Sequence, residues 1–215
     1  MAAATLSIGG VAAAAVWSAH TGRFPVDAED LRLGGPGEKL DPSAPDYGSV
    51  IDEVTADIPF PSEEARELSR ASQVRDGRRG EAPGSTAVST GALRFWTARA
   101  AVCAWANEWA AATTHADAAT KAHASTMLEQ SPTWPAVTDL DPVQTIKPSP
   151  WTYIDPTTGR TVHGTQYDNT EAGYFPLVQK ATYDNDLNAL GAVLAQWGSC
   201  DPDLMPDFPQ ALPQG

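Results

Sequence analysis

Charge is scarce in this 215-residue chain, where Asp, Glu, Lys and Arg together make up 19%. What there is leans one way: 14 Lys and Arg stand against 27 Asp and Glu, for a net charge of −13. So few cations cannot neutralise many phosphates, which excludes a nucleic-acid coat as the role. An anionic lipid surface repels such a chain as well. Cysteine is rarer still, with Cys103 and Cys200 alone, too few to build a metal site by themselves. Histidine occurs four times, and the HExxH spacing of zinc hydrolases is missing. Glu108 and His115 share a helical face, but His115 and His123 diverge on an ideal helix, so no metal or other cofactor is expected. The G-x-S-x-G elbow and Ser-x-x-Lys do not occur, and Gly34–Leu40 lacks the order of a phosphate loop. No motif names a reaction.

What is present is a 42% hydrophobic composition, enough for a packed core over part of the length. Alanine occurs 36 times and Arg outnumbers Lys by 10 to 4, the pattern of translated high-GC bacterial DNA. The negative charge is uneven. Residues 26–60 hold nine acids against Arg32 and Lys39, and the breaks at Gly34-Gly35-Pro36-Gly37, Asp41-Pro42 and Ala44-Pro45 favour extended backbone. This reads as an acidic linker or loosely packed arm, with docking on a basic partner as the functional alternative. Residues 66–79 hold five arginines, but Glu63, Glu64, Glu67 and Asp76 lie among them at helical spacing. A solvated helix with internal ion pairs is the expectation there.

Residues 2–19 carry no charge and are about long enough to span a bilayer core, although rich in Ala and Gly and without a preceding basic region. The segment reads as an anchor or signal sequence, with a buried helix of a soluble protein as the alternative. In an exported protein the two cysteines form one disulfide. The bridge would close a loop of about 97 residues, worth up to about 4–5 kcal/mol in the chain-entropy picture.

Ser62-Glu63-Glu64 marks a helix start, with the helix running to about Val74 or Arg75. From Gly91 to Pro132 there is neither Pro nor Gly between. One helix of that length would reach about 60 Å, more than the roughly 40 Å breadth of such a domain, so a break is predicted near Thr113-Thr114-His115. At 100° per residue, Trp96, Ala100, Cys103, Asn107 and Ala110 share one face, and Phe95, Val102, Trp105, Ala106 and Trp109 the other. A helix apolar on two faces is a central one, buried from both sides. The alternative is that Phe95, Trp105 and Trp109 form an exposed docking surface, since Trp is enriched at interface hot spots. Trp151–Ile154 and Arg160–Gly164 flank a Pro/Gly turn and predict a β-hairpin. Tyr183–Trp197 carries leucines at helical spacing, with Asp184 or Asn185 as cap; the same acids begin like a calcium loop, but Ala189 and Ala195 stand where Gly and Glu are needed.

The chain is thus expected to be a mainly α (α+β) protein, a helical domain with a central two-faced apolar helix and one β-hairpin. Residues 1–22 form the apolar segment, 23–57 the acidic Pro/Gly-rich arm, 58–200 the globular domain with hairpin 151–164, and 201–215 a Pro-rich acidic tail. The functional expectation is a non-enzymatic bacterial cell-envelope accessory or protein-binding module on the extracytoplasmic side. It takes a protein partner, a basic one for the acidic arms, with membrane attachment through residues 1–19. The alternatives are an exported hydrolase with an unrecognised acid/base or Ser/His site, and a structural subunit of a larger assembly.

Overall fold

The computed structural model describes residues 23–24, 39–79, 87–138, 148–154, 161–167, 171–198 and 200–208. The apolar segment 1–22, on which the anchor expectation rests, lies outside them. Among the described residues no helix is long and apolar enough to cross a membrane.

Two short strands, β1 (Arg23–Phe24) and β2 (Lys39–Leu40), pair antiparallel. They precede helix α1 (Tyr47–Val54). Helix α2 (Glu63–Gly77) begins where the sequence placed it, because the Ser62 hydroxyl accepts from the Ala65 amide at 3.1 Å and Glu63 and Glu64 favour the positive end of the helix dipole. It ends at Gly77, where an added Cβ would stand 2.9 Å from Pro42 Cβ. Strand β3 (Val88–Ser89) completes a β1-β2-β3 sheet and leads directly into α3 (Thr90–Thr114), whose cap Ser89 accepts from the Ala92 amide.

Helix α3 is the axis of the domain. Its chain breaks as predicted: Ala116 takes a left-handed conformation at φ 57°, and Asp117 then caps α4 (Ala118–Gln130) by accepting from the Ala119 and Thr120 amides. The two helices run back along each other as an antiparallel pair. A 3-10 turn at Ser131–Thr133 and a helical turn at Pro135–Thr138 close that side. The hairpin follows as β4 (Pro148–Ile154) and β5 (Thr161–Tyr167), paired from Pro148↔Tyr167 to Ile154↔Thr161, three residues longer at its open end than the sequence pattern indicated. Its turn residues lie outside the described set.

The C-terminal third adds to the expectation. A helix that the sequence pattern did not indicate, α5 (Phe175–Tyr183), comes first, and the helix expected over 183–197 follows as α6 (Leu187–Val193), continued by a wider turn over Leu194–Gly198. Asn185 at φ 56° ends the first, and Asp186, rather than Asp184 or Asn185, caps the second by accepting from the Ala189 amide at 2.9 Å. Asp184 pairs with Lys180 one turn back.

The molecule is mainly helical with one two-stranded hairpin, as expected for the fold class. One large core surrounds α3 and takes in Leu128, Phe175, Val178, Leu190 and Leu194. A smaller cluster joins Leu40, Tyr47, Val50, Ile51, Val88 and Leu93. Over the described residues 39–57, that second cluster corrects the reading of a loosely packed arm. Tyr47, Val50 and Ile51 are spaced for one helical face, a periodicity outweighed in the sequence by the density of acids around it. The expected tail is corrected likewise over residues 201–208. Leu204, Met205 and Phe208 are buried at 5%, 1% and 3% exposure.

Candidate functional site

The sequence offered Phe95, Trp105 and Trp109 as a docking surface. The structure buries all three, at 3%, 4% and 1% exposure. Phe95 meets Phe175 edge-on at 5.8 Å between ring centroids. The Trp105 indole N–H donates to the Pro59 carbonyl at 3.0 Å and its ring stands edge-on to His123. The Trp109 indole N–H donates to the Ser125 hydroxyl at 2.8 Å, tying α3 to α4, and Lys121 lies over the ring. These side chains are core and carry no docking surface.

The exposed aromatic of α3 is Trp96, at 43%. It stands on the face shared with Ala100 and Cys103, and that face opens into a groove of about 480 Å³ between α2, α3 and the segment Cys200–Leu204. Small residues make the space. Ser69 and Ser72 on α2 look across at Ala100 on α3, so the two helices leave a hollow where larger side chains would fill it. Tyr47 and Val88 lie at one end, and the cysteine pair forms part of the lining.

Polar contacts fix the walls. Gln73 donates to the Ser69 hydroxyl at 3.2 Å and to the Thr97 hydroxyl at 2.9 Å, and both hydroxyl residues are buried at 2%, which pins α2 to α3. The Ser72 hydroxyl donates to Asp201 at 3.0 Å, and Arg75 donates to the same oxygen at 3.0 Å and to Ser72 at 2.8 Å, which pins α2 to the C-terminal segment. Burial raises the Asp201 carboxyl, but the Asp203 amide, Ser72 and Arg75 outweigh it and hold the group below the ordinary carboxylate range. Tyr47 is pushed up to about 12 by burial, against the pull of Arg78. The Arg99 guanidinium lies 6.0 Å from the Phe95 ring centroid and 5.7 Å from that of Tyr174.

Cys103 and Cys200 are joined in a disulfide across 97 positions, with Cα atoms 5.7 Å apart, as the sequence reading expected. Cys103 is buried at 1% in mid-helix, and Cys200 is partly exposed. The bridge ties α3 to a segment with few other holds among the described residues. Three buried side chains contribute about 2 kcal/mol each. The Asp201 contacts and the Asn107–Asp207 pair, at 3.1 and 2.7 Å, add about 1 kcal/mol apiece. Ordering nine backbone residues costs about 1 kcal/mol or more each, so the non-covalent terms roughly cancel and the bridge decides.

Of the arginines read as a self-paired helix surface, Arg75 and Arg79 do pair locally with Asp76, each at 3.5 Å, while the others reach across the fold. Arg66 donates to the Thr55 and Ile58 carbonyls, Arg70 pairs with Asp52 at 3.3 Å, and Arg78 donates to the Pro42 and Ala44 carbonyls. On α3, Arg94 grips Asp57 through two bonds of 2.6 and 2.7 Å and donates to the Val54 carbonyl. Part of the basic surface sought for the acidic stretch is thus supplied by the chain itself. His115 and His123 are exposed on separate elements, and among the described residues no group of three His, Cys, Asp or Glu could hold a metal ion. Compared with known proteins, the chain matches no family model, no curated protein and no solved structure.

Proposed function

We propose that this chain is an extracytoplasmic binding module of the cell envelope whose groove takes a side chain from an extended segment of a partner protein. The observation that carries the reading is Trp96, an indole left 43% exposed at the mouth of an apolar hollow while the other aromatics of α3 are core. Trp is a preferred anchor in protein interfaces because it offers a large apolar area with few rotamers to freeze. Asp76, Asp201, Arg79 and Arg99 all line the groove and give it two signs of charge with which to orient a guest. Ionised carboxylates suit contact better than proton donation, and Asp201 is held ionised by its neighbours. The extracytoplasmic assignment rests on the disulfide, a bond that persists in oxidising compartments.

The test is a synthetic peptide array probed with the full chain and with Trp96→Ala. Peptides sharing an apolar or aromatic residue are expected to bind the parent chain and to lose affinity about tenfold or more in the variant. Because Trp96 is half in water, the melting temperature should hardly move. An array in which no peptide depends on Trp96 overturns the proposal.

A further inference from the structure

We infer that the Cys103–Cys200 disulfide is a redox-operated latch on the groove: its reduction frees the segment Cys200–Phe208 and removes one groove wall while the helical core stays folded. This rests on the proposed groove only for its consequence, loss of ligand binding; the release of the wall is a property of the fold. Both sulfur residues line the groove, so a reductant entering it meets the bond. Cys200 is the partly exposed partner and Cys103 the buried one. A thiolate of an external dithiol therefore attacks Cys200 Sγ, forming a mixed disulfide and expelling Cys103 as a thiolate that takes up a proton. The second thiol of the reductant then attacks its own sulfur in the mixed disulfide, releasing Cys200 as a thiolate that is protonated in turn. Two electrons and two protons pass from the dithiol, which leaves as its own disulfide, to the protein.

The two sides of the bond respond differently because they are held differently. Cys103 sits in mid-α3, among Ala101, Val102, Ala104 and Ala106, all buried in the large core, which α3 shares with α4, α5 and α6 and onto whose edge Leu204, Met205 and Phe208 pack. On the other side, Asp201 and Leu204 are part of the groove wall, and among the described residues the segment's remaining holds are the Asp201 contacts, the Asn107–Asp207 pair and three apolar side chains. Segments with so few anchors open locally, without global unfolding.

The experiment is hydrogen–deuterium exchange on the full chain, oxidised and after dithiothreitol, with the Cys103→Ser/Cys200→Ser double variant as a form that needs no reductant. The reporters are the amides of Leu204, Met205, Asp207 and Phe208, which donate to Asp201 O, Pro202 O, Asn107 Oδ1 and Met205 O. They are expected to exchange at least about tenfold faster in both reduced states, while the amides of α3 and α4 keep their protection. Unchanged exchange at the four reporters overturns the latch, because the wall then stands without the bridge. Simultaneous loss of protection in α3 and α4 overturns it too, because the disulfide is then a staple for the whole fold. Neither readout uses a ligand, so failure of the peptide array leaves this result standing, and the reverse holds as well.

Discussion

Helices α2 and α3 face each other across one groove and are held in place by opposite physics. α3 buries fifteen of its 25 residues, from Thr90 to Ala112, so its position follows from removing most of its apolar surface from water. α2 buries only Ala65 and Ser69, and its position follows from a cap and from arginines that reach out to acids and carbonyls elsewhere in the chain. The contrast explains why the groove lies between them. Two helices with matched apolar faces would have closed on each other, whereas a wet helix held by long polar side chains can stand off and leave a hollow.

That comparison is most easily broken from the α3 side. Trp109→Ala removes a fully buried indole and its bond to Ser125, and is expected to cost about 3–5 kcal/mol in urea unfolding of the oxidised chain. A cost below about 1 kcal/mol would show that burial does not decide the position of α3.

A smaller effect is expected at the polar clamp between α3 and the acidic stretch. Arg94→Ala removes the paired bonds to Asp57 and the bond to the Val54 carbonyl. With Asp57 44% exposed, water screens part of the interaction, so about 1–2 kcal/mol is expected. The pH dependence gives a second reading. The Arg94 hydrogen bond comes first among the causes that hold Asp57 below the ordinary carboxylate range, so the folded state binds that proton less readily than the unfolded chain does. The stabilisation is therefore complete above about pH 4, the unfolded value, and is lost as pH falls through the lowered folded value. Urea midpoints taken from pH 7 downward should fall less steeply in Arg94→Ala than in the parent chain, and parallel curves would remove Asp57 from the account.

The smallest change is expected at the α2 cap. Ser62→Ala leaves the Ala65 amide without its side-chain acceptor and is expected to cost about 1 kcal/mol, or roughly 2–4 °C in melting temperature. If α2 depends on local and polar terms, this substitution should also raise exchange across Arg66–Ser69 while α3 is unaffected. Equal loosening of both helices would erase the distinction.

Much of this architecture is legible in the residues before any coordinates. The Ser62 cap, the break after Thr114, the two apolar faces of α3, the hairpin and the cysteine pair follow from local rules of capping, length, periodicity and compartment. Local rules failed where two signals competed. The acids of residues 26–60 masked the Tyr47-Val50-Ile51 face, and the prolines after Cys200 masked Leu204, Met205 and Phe208. Charge and proline counts describe the neighbourhood, while burial is decided by the few apolar residues within it.

The groove belongs to a different level. Helical phase places Trp96 with Ala100 and Cys103 on one face, but whether that face is covered depends on what packs against it, which no spacing records. Likewise the sequence supplies five arginines in residues 66–79 and nine acids in residues 26–60, but not their partners. The amino-acid pattern by itself determined where α2 starts, where α3 stops, where the hairpin lies and which cysteines meet, because those follow from interactions within a few residues or from there being only one possible pair. Tertiary structure alone decided that Trp96 is exposed while Trp109 is not, and that Asp52 meets Arg70 and Asp57 meets Arg94. Those outcomes depend on contacts between residues far apart in the chain, and only the folded geometry selects among them.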